Sequence, residues 1–112
     1  MQINTKYNIG DKVLVYNQYD TLTPVTIKAV DVRLFEQEKP TIVYRVKFED
    51  LRELQEYYED SLYTNVEEVI AAEKRDEQID LKQAAERFSG ELEFIKRKYS
   101  KKYEYLEEYG KV

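Results

Sequence analysis

The sequence predicts an α+β chain: a small antiparallel β-barrel over residues 1–72, then a helical extension over 73–112 with one long C-terminal α-helix at about 78–109. Three observations carry this. Thr41 to Phe48 sets Ile42, Tyr44, Val46 and Phe48 on one side and Val43, Arg45 and Lys47 on the other, the period of two of a half-buried strand. Leu81, Ala85, Phe88, Leu92, Ile95 and Tyr99 recur at spacings of 4, 3, 4, 3 and 4, an apolar stripe at the heptad period. Hydrophobic residues at 42% with 13% aromatics argue for a folded chain, although 37% of residues are charged.

The elements follow in order. Ile9-Gly10-Asp11 is a turn signal, and Lys12 to Tyr16 alternates with Val13 and Val15 on one face. Asn17 to Thr23 is read as a loop, with Asp20 and Pro24 as breakers. Val25 and Ile27 then face one way and Val30, Val32 and Leu34 the other. One extra residue flips the faces of a strand, so a bulge is expected near Ala29-Val30. Glu36 to Pro40 forms a hairpin loop into the central strand. Residues 49–63 are ambiguous: Leu51, Leu54, Tyr58 and Leu62 have helical spacing, while Arg52 to Tyr58 suits a short strand with a turn at Glu59-Asp60-Ser61. The strand is preferred, because Thr41–Phe48 needs a partner. Tyr63-Thr64-Asn65-Val66 would close the barrel, and Thr64 with Glu67 has capping-box spacing for a short helix towards Ala72. The last helix runs from an N-cap at Asp80 to a stop at Gly110, with Lys102 interrupting its stripe and Ser89-Gly90 as a weak point. Unbroken, it would span roughly 45 Å at about 1.5 Å per residue. That exceeds a small barrel, so some of its stripe must either meet another chain or stand exposed; the stripe is read as an intermolecular coiled coil or as the face that docks on the barrel.

The totals exclude several classes of function. There is no Cys, hence no disulfide or thiolate chemistry, and no His, the side chain best suited to proton transfer near neutral pH. Three glycines leave no Gly-rich phosphate loop, and no Asp/Asn spacing resembles a calcium loop. No catalytic residue, metal ligand or cofactor is therefore assigned. No apolar run reaches the length of a membrane span, and a cytoplasmic protein of a bacterial host is expected. Residues 1–72 hold 8 Lys+Arg and 13 Asp+Glu, a net −5, whereas residues 73–112 hold 10 of each. The acidity thus falls on the N-terminal part, which disfavours phosphate binding there.

The segments Tyr7-Asn8-Ile9-Gly10-Asp11-Lys12-Val13-Leu14-Val15, Thr26 to Val32, Tyr44-Arg45-Val46-Lys47-Phe48 and Glu59-Asp60-Ser61-Leu62-Tyr63 resemble the small SH3-like barrels of short bacterial and bacteriophage proteins, related in layout to Tudor and KOW modules. The resemblance covers about residues 7–70 and implies a binding module rather than an enzyme. Length and composition are also similar to those of accessory proteins of phages and mobile elements, including small proteins that block host defence nucleases.

Four surfaces are candidates. An acidic run, Glu49, Asp50, Glu53, Glu56, Glu59 and Asp60 with Glu67 and Glu68 beyond it, is either a solvated face or a decoy that presents carboxylates to the basic groove of a nucleic-acid-binding host protein. Tyr57 and Tyr58 join it as contact residues, since Tyr is enriched among interface anchors. The tyrosines Tyr16, Tyr19, Tyr44, Tyr57, Tyr58 and Tyr63 divide between core and rim. A cation cage of the kind that the Tudor resemblance implies is the less favoured use of them. The stripe Leu81, Ala85, Phe88, Leu92, Ile95 and Tyr99 offers a homodimer seam. Lys96, Arg97, Lys98, Lys101 and Lys102 offer a nucleic-acid contact, set against the simpler reading of a helix surface laced with local ion pairs to Glu91, Glu93 and Glu104. The favoured function is a non-catalytic module that binds and occludes a host protein. A nucleic-acid-associated regulator or a small assembly protein is the alternative.

Overall fold

The computed structural model describes residues 4–34, 39–87 and 90–111. The chain forms two compact units, Met1–Thr64 and Asn65–Val112. Residues 65–72, grouped with the barrel on sequence grounds, therefore belong to the helical unit.

The first unit is a four-stranded antiparallel sheet, β1 (Lys12–Tyr16), β2 (Leu22–Arg33), β3 (Thr41–Lys47) and β4 (Gln55–Tyr58), in the order β1-β2-β3-β4. The turn into β1 is set by Gly10, whose φ of 97° lies where a side chain is strained. Its N–H donates to the Ile27 carbonyl at 2.8 Å, and the Ile27 N–H donates to Asp11 O at 2.9 Å. β2 starts at Leu22 and so includes Pro24, which was expected to lie before it. The ring is tolerated for a local reason. Leu14, its partner, directs its own N–H and C=O to Tyr63, so the Pro24 nitrogen also points away from β1. It faces the edge that β3, whose pairing begins at Thr26, does not reach.

The expected bulge is present, slightly earlier than predicted. Pairing passes from Ile27↔Val46 to Ala29↔Arg45, leaving Lys28 as the extra residue. Val25 and Ile27 before it and Val30 after it consequently pack on the same core. That core comprises Tyr7, Val13, Val15, Val25, Ile27, Tyr44, Val46, Phe48 and Leu62. The inward side of Thr41–Phe48 is the one its alternation predicts. Val43, on the outward side, is buried as well.

Residues 49–63 take the strand-and-turn course. β4 is short, a 3-10 turn follows at Glu59–Ser61, and the chain then meets β1 through the bridge Leu14↔Tyr63, with hydrogen bonds of 2.7 and 2.9 Å. The helical alternative fails because its residues do not share a buried face: Leu62 is buried, whereas Leu51, Leu54 and Tyr58 are exposed. The strand expected from Tyr63 to Val66 reduces to that one bridge, since Asn65 and Val66 begin a helix.

The second unit corrects the single long helix. α1 spans Val66–Ala85 and α2 spans Gly90–Gly110. The N-cap of α1 is Asn65, not Thr64: its side chain accepts from the Glu68 N–H at 3.0 Å. Glu67 and Glu68 follow in the first turn, where carboxylates suit the helix dipole. Asp80, expected as a cap, lies inside α1. The helix ends as Glu86 and Arg87 donate back to Gln83 O and Ala84 O. Ser89 and Phe88 lie outside the described residues, as do Glu36 to Glu38 of the expected hairpin loop.

α1 and α2 pack antiparallel. Tyr99 Oη donates to Asp80 at 2.6 Å, Tyr103 Oη donates to Glu77 at 2.9 Å, and Lys102 Nζ stands 3.1 Å from Glu73. Lys102 is therefore no interruption of an exposed stripe but the partner of a carboxylate buried at 6% side-chain exposure. Around these pairs Val69, Ala84, Tyr99 and Leu106 are buried.

Removing the cation beside a buried carboxylate is strongly unfavourable, whereas an apolar pair of similar volume is tolerated. Lys102→Ala should accordingly lower the unfolding free energy by about 2–3 kcal/mol. Glu73→Leu combined with Lys102→Met should recover most of that loss in urea titrations. A double variant as unstable as the single one would count against the pairing.

Candidate functional site

Two loops at one end of the sheet unit enclose a cleft of about 160 Å³. One wall is the β1–β2 turn. Asn17 organises it: Oδ1 accepts from the N–H of Tyr19 at 2.8 Å and of Thr21 at 3.0 Å, and its own N–H donates to Thr21 O at 3.0 Å. Asp20 takes a φ of 58°, a left-handed conformation that Asp tolerates better than most residues. The turn holds Tyr19 outward at 78% exposure. The other wall is the β3–β4 loop, which Lys47 pins by donating through Nζ to the carbonyl of Phe48 at 2.7 Å and to that of Leu51. This loop carries Glu49, Asp50 and Glu53, all exposed and with no ion pair among the described residues. Asp50 and Leu51 line the cleft itself.

The floor is aromatic. Phe48 and Tyr57 meet with ring centroids 6.1 Å apart, and Tyr57 Oη donates to Tyr16 O at 3.2 Å. Burial raises the Tyr57 phenol above its ordinary pKa. Two broader depressions of about 380 and 360 Å³ lie near Lys12, lined by residues such as Lys6 and Asp11 in one and Lys47 and Glu49 in the other.

The acidic run divides. Glu49, Asp50 and Glu53 stay exposed on the β3–β4 loop, where Asp50 lines the cleft and Glu49 a neighbouring depression. Glu56 instead points to the outer face of β4, 2.9 Å from Arg33 and 3.8 Å from Arg45, which also faces Asp31 at 3.2 Å. Tyr58 shares that face and is exposed, while Tyr57 turns inward. Glu59 folds back, accepting from Tyr44 Oη at 2.5 Å and from the Lys6 N–H at 3.1 Å. Asp60 is exposed in the 3-10 turn, and Glu67 and Glu68 belong to α1. Strand alternation separates 56 from 57, a division that a run of letters does not display. The charge balance shifts too. Residues 1–64 hold 8 Lys+Arg and 11 Asp+Glu, a net −3, and residues 65–112 hold 10 and 12, a net −2. The acidity is shared between the units, not confined to the first.

The expected dimer seam is split between two helices. Leu81 and Ala85 lie on α1, Leu92, Ile95 and Tyr99 on α2, and Phe88 outside the described residues. Tyr99 is buried within the hairpin. Of the basic run, Lys102 turns into the seam towards Glu73, while Lys96, Arg97, Lys98 and Lys101 are exposed on α2. The two cleft walls were not joined at the sequence level. Tyr19 was recognised only as one tyrosine of six, and the signal that finds its wall is Asn17 three residues before Asp20.

Among the described residues, no three Asp or Glu side chains converge as metal ligands would, and no helix is long and apolar enough to cross a membrane. Comparisons with protein families, curated proteins and solved structures found no match to this chain.

Three tyrosines are held by carboxylates. Burial first, then the hydrogen bond to Glu59, pushes the Tyr44 phenol up to about 12; burial and Glu77 do the same to Tyr103, to about 12, and burial and Asp80 raise Tyr99. An unfolded tyrosine ionises near pH 10. A raised folded pKa contributes stability that is complete below about pH 10 and is lost as the pH rises through 12. The unfolding midpoint in urea should therefore fall steeply above about pH 10. Tyr44→Phe should lose about 1–2 kcal/mol at neutral pH and show a shallower alkaline fall.

Proposed function

We propose that this protein is a non-catalytic interaction module. Its sheet unit works as an SH3-like barrel, and its working surface is the cleft between the β1–β2 turn and the β3–β4 loop. The antiparallel meander, the bulge at Lys28, the 3-10 turn after β4 and the return of Tyr63 to β1 support the barrel reading.

The observation that carries the binding reading is the combination in the cleft: an aromatic floor of Phe48 and Tyr57, an exposed Tyr19 on one wall, and on the other the carboxylate of Asp50, which has no ion pair among the described residues. Its volume of about 160 Å³ is small for a metabolite site, which usually needs about 300 Å³ or more. It suits one side chain of a protein partner. A Lys or Arg meets both of its features, laying an apolar stem against the rings and bringing its charged head to Asp50. Glu49 and Glu53 add to the local field. The partner is thus a protein with an exposed basic segment, such as the groove of a nucleic-acid-binding host protein, and binding there occludes it. A phage or mobile-element accessory protein acting on a defence nuclease is the biological setting that the sequence resemblance favours.

The absence of His and Cys from the chain favours a binding role for the cleft, where Thr23 donates to Thr21 O at 3.0 Å and Tyr57 to Tyr16 O at 3.2 Å.

The test is an affinity pull-down from nuclease-treated bacterial lysate, comparing the native chain with a Tyr19→Ala, Asp50→Lys, Glu53→Lys variant. A stoichiometric basic protein should be captured by the native chain and lost from the variant. Its association should slow several-fold as salt is raised, as screened charges require. Equal capture by the variant would reject the cleft as the contact surface. A partner that vanishes with nuclease treatment would reject the protein-binding function.

A further inference from the structure

The outward side of α2 carries exposed cations beside aromatic rings, of which Tyr105 also meets Tyr109 with centroids 6.4 Å apart. From Phe94 to Tyr103 the sequence contains five Lys or Arg and no Asp or Glu. Folding removes Lys102 to the seam with Glu73. Phe94, Arg97, Lys98, Lys101 and Tyr105 fall at i, i+3, i+4, i+7 and i+11, and this spacing sets them on one helix face. Successive helix residues turn by about 100°, so that face stands beside the side that buries Tyr99 and Leu106. Phe94 is 71% exposed and Tyr105 38%. The two rings stand roughly 16 Å apart along the axis, at about 1.5 Å per residue, with the cations between them.

Glu93 and Glu104 lie one turn from Arg97 and Lys101, where local ion pairs were expected. Salt bridges form instead between Glu73 and Lys102 and from Lys111 to Glu107 and Glu108. Arg97, Lys98 and Lys101 carry no ion pair among the described residues, and Lys98 lies 5.3 Å from the centre of the Tyr99 ring.

We infer that this face of α2 binds single-stranded nucleic acid, with Arg97, Lys98 and Lys101 on the phosphates and Phe94 and Tyr105 against bases. Charge complementarity requires a polyanion. The rings choose among polyanions: an acidic peptide would neutralise the cations and leave the rings exposed, and a duplex keeps its bases stacked inside. Only a single strand presents phosphates and open base faces together. With about three phosphate contacts, binding is weak and strongly salt-dependent, the slope of log K against log salt being about −2. The net charge of −5 works in the same direction.

The experiment is fluorescence anisotropy of a labelled 20-nucleotide (about two helical turns' worth of duplex) oligo-uridine with the full chain, between low and physiological salt. Binding at low salt with a slope near −2 is expected. Arg97→Glu with Lys101→Glu should weaken it at least about tenfold and flatten the slope. Phe94→Ala should weaken it several-fold and leave the slope unchanged. All three side chains are exposed, and circular dichroism confirms that each variant keeps its helices. Absence of binding at low salt, or insensitivity to the charge reversal, would overturn the inference. So would a duplex bound as tightly as the single strand, or displacement of the strand by poly-glutamate at equal charge concentration. Those two results would point to general anion attraction or to an acidic protein partner.

Discussion

The hydroxyl of Tyr44 holds the sheet unit together. It sits on the central strand with its side chain fully buried, donates to Glu59 at 2.5 Å and accepts from the Tyr7 N–H at 3.2 Å. The two rings meet edge to face with centroids 5.6 Å apart, and Tyr7 Oη donates in turn to Leu62 O at 3.0 Å. One network thus joins the segment before β1, the middle of β3 and the turn after β4. A small core of nine buried side chains gives limited hydrophobic stabilisation, so the polar tips of its tyrosines are fully used. No buried side-chain polar atom among the described residues lacks a partner.

The helical unit solves a different problem with similar means. Its sequence is too polar for a dry seam, and three contacts, Glu73–Lys102, Glu77–Tyr103 and Asp80–Tyr99, run along the interface between α1 and α2. Apolar contacts alone tolerate sliding by a turn. A buried carboxylate facing its own cation does not, because a slip would leave the charge uncompensated in a poorly solvated site. The polar seam therefore sets the register, and Val69, Ala84 and Leu106 fill the space around it.

Charge left over from these internal pairings defines the two surfaces that we propose meet partners. Three of the charged side chains singled out in the sequence have structural duties: Glu56 balances Arg33 and Arg45, Glu59 serves Tyr44, and Lys102 serves Glu73. What remains is narrower and more informative than either charge run. Asp50 lines an aromatic cleft on the sheet unit, with Glu49 and Glu53 exposed on the same loop, and cations at Arg97, Lys98 and Lys101 lie between exposed rings on α2. The two surfaces have opposite sign and distinct geometry, which is why different ligands are proposed for them.

The sequence by itself determined what depends on neighbours along the chain. The alternation of Thr41–Phe48, the parity switch in β2, the turn at Ile9-Gly10-Asp11 and the stop at Gly110 are local properties of backbone and side chain, and each was legible as letters. Tertiary structure decided what depends on distant partners. The apolar stripe from Leu81 to Tyr99 has the same period in one long helix as in a hairpin; only burial of Tyr99 and pairing of Lys102 with a residue 29 positions away select the hairpin. Likewise, Glu56 and Glu59 look like Glu53 until strand alternation and a hydrogen bond to Tyr44 withdraw them. The cleft has no linear signature, because its walls are a turn at residues 17–23 and a loop after Phe48, brought together by pairing of β1 with β2, β2 with β3 and β3 with β4. Short-range sterics and hydrogen bonds are encoded residue by residue, whereas a binding surface exists only after sheet pairing has fixed which side chains share a face.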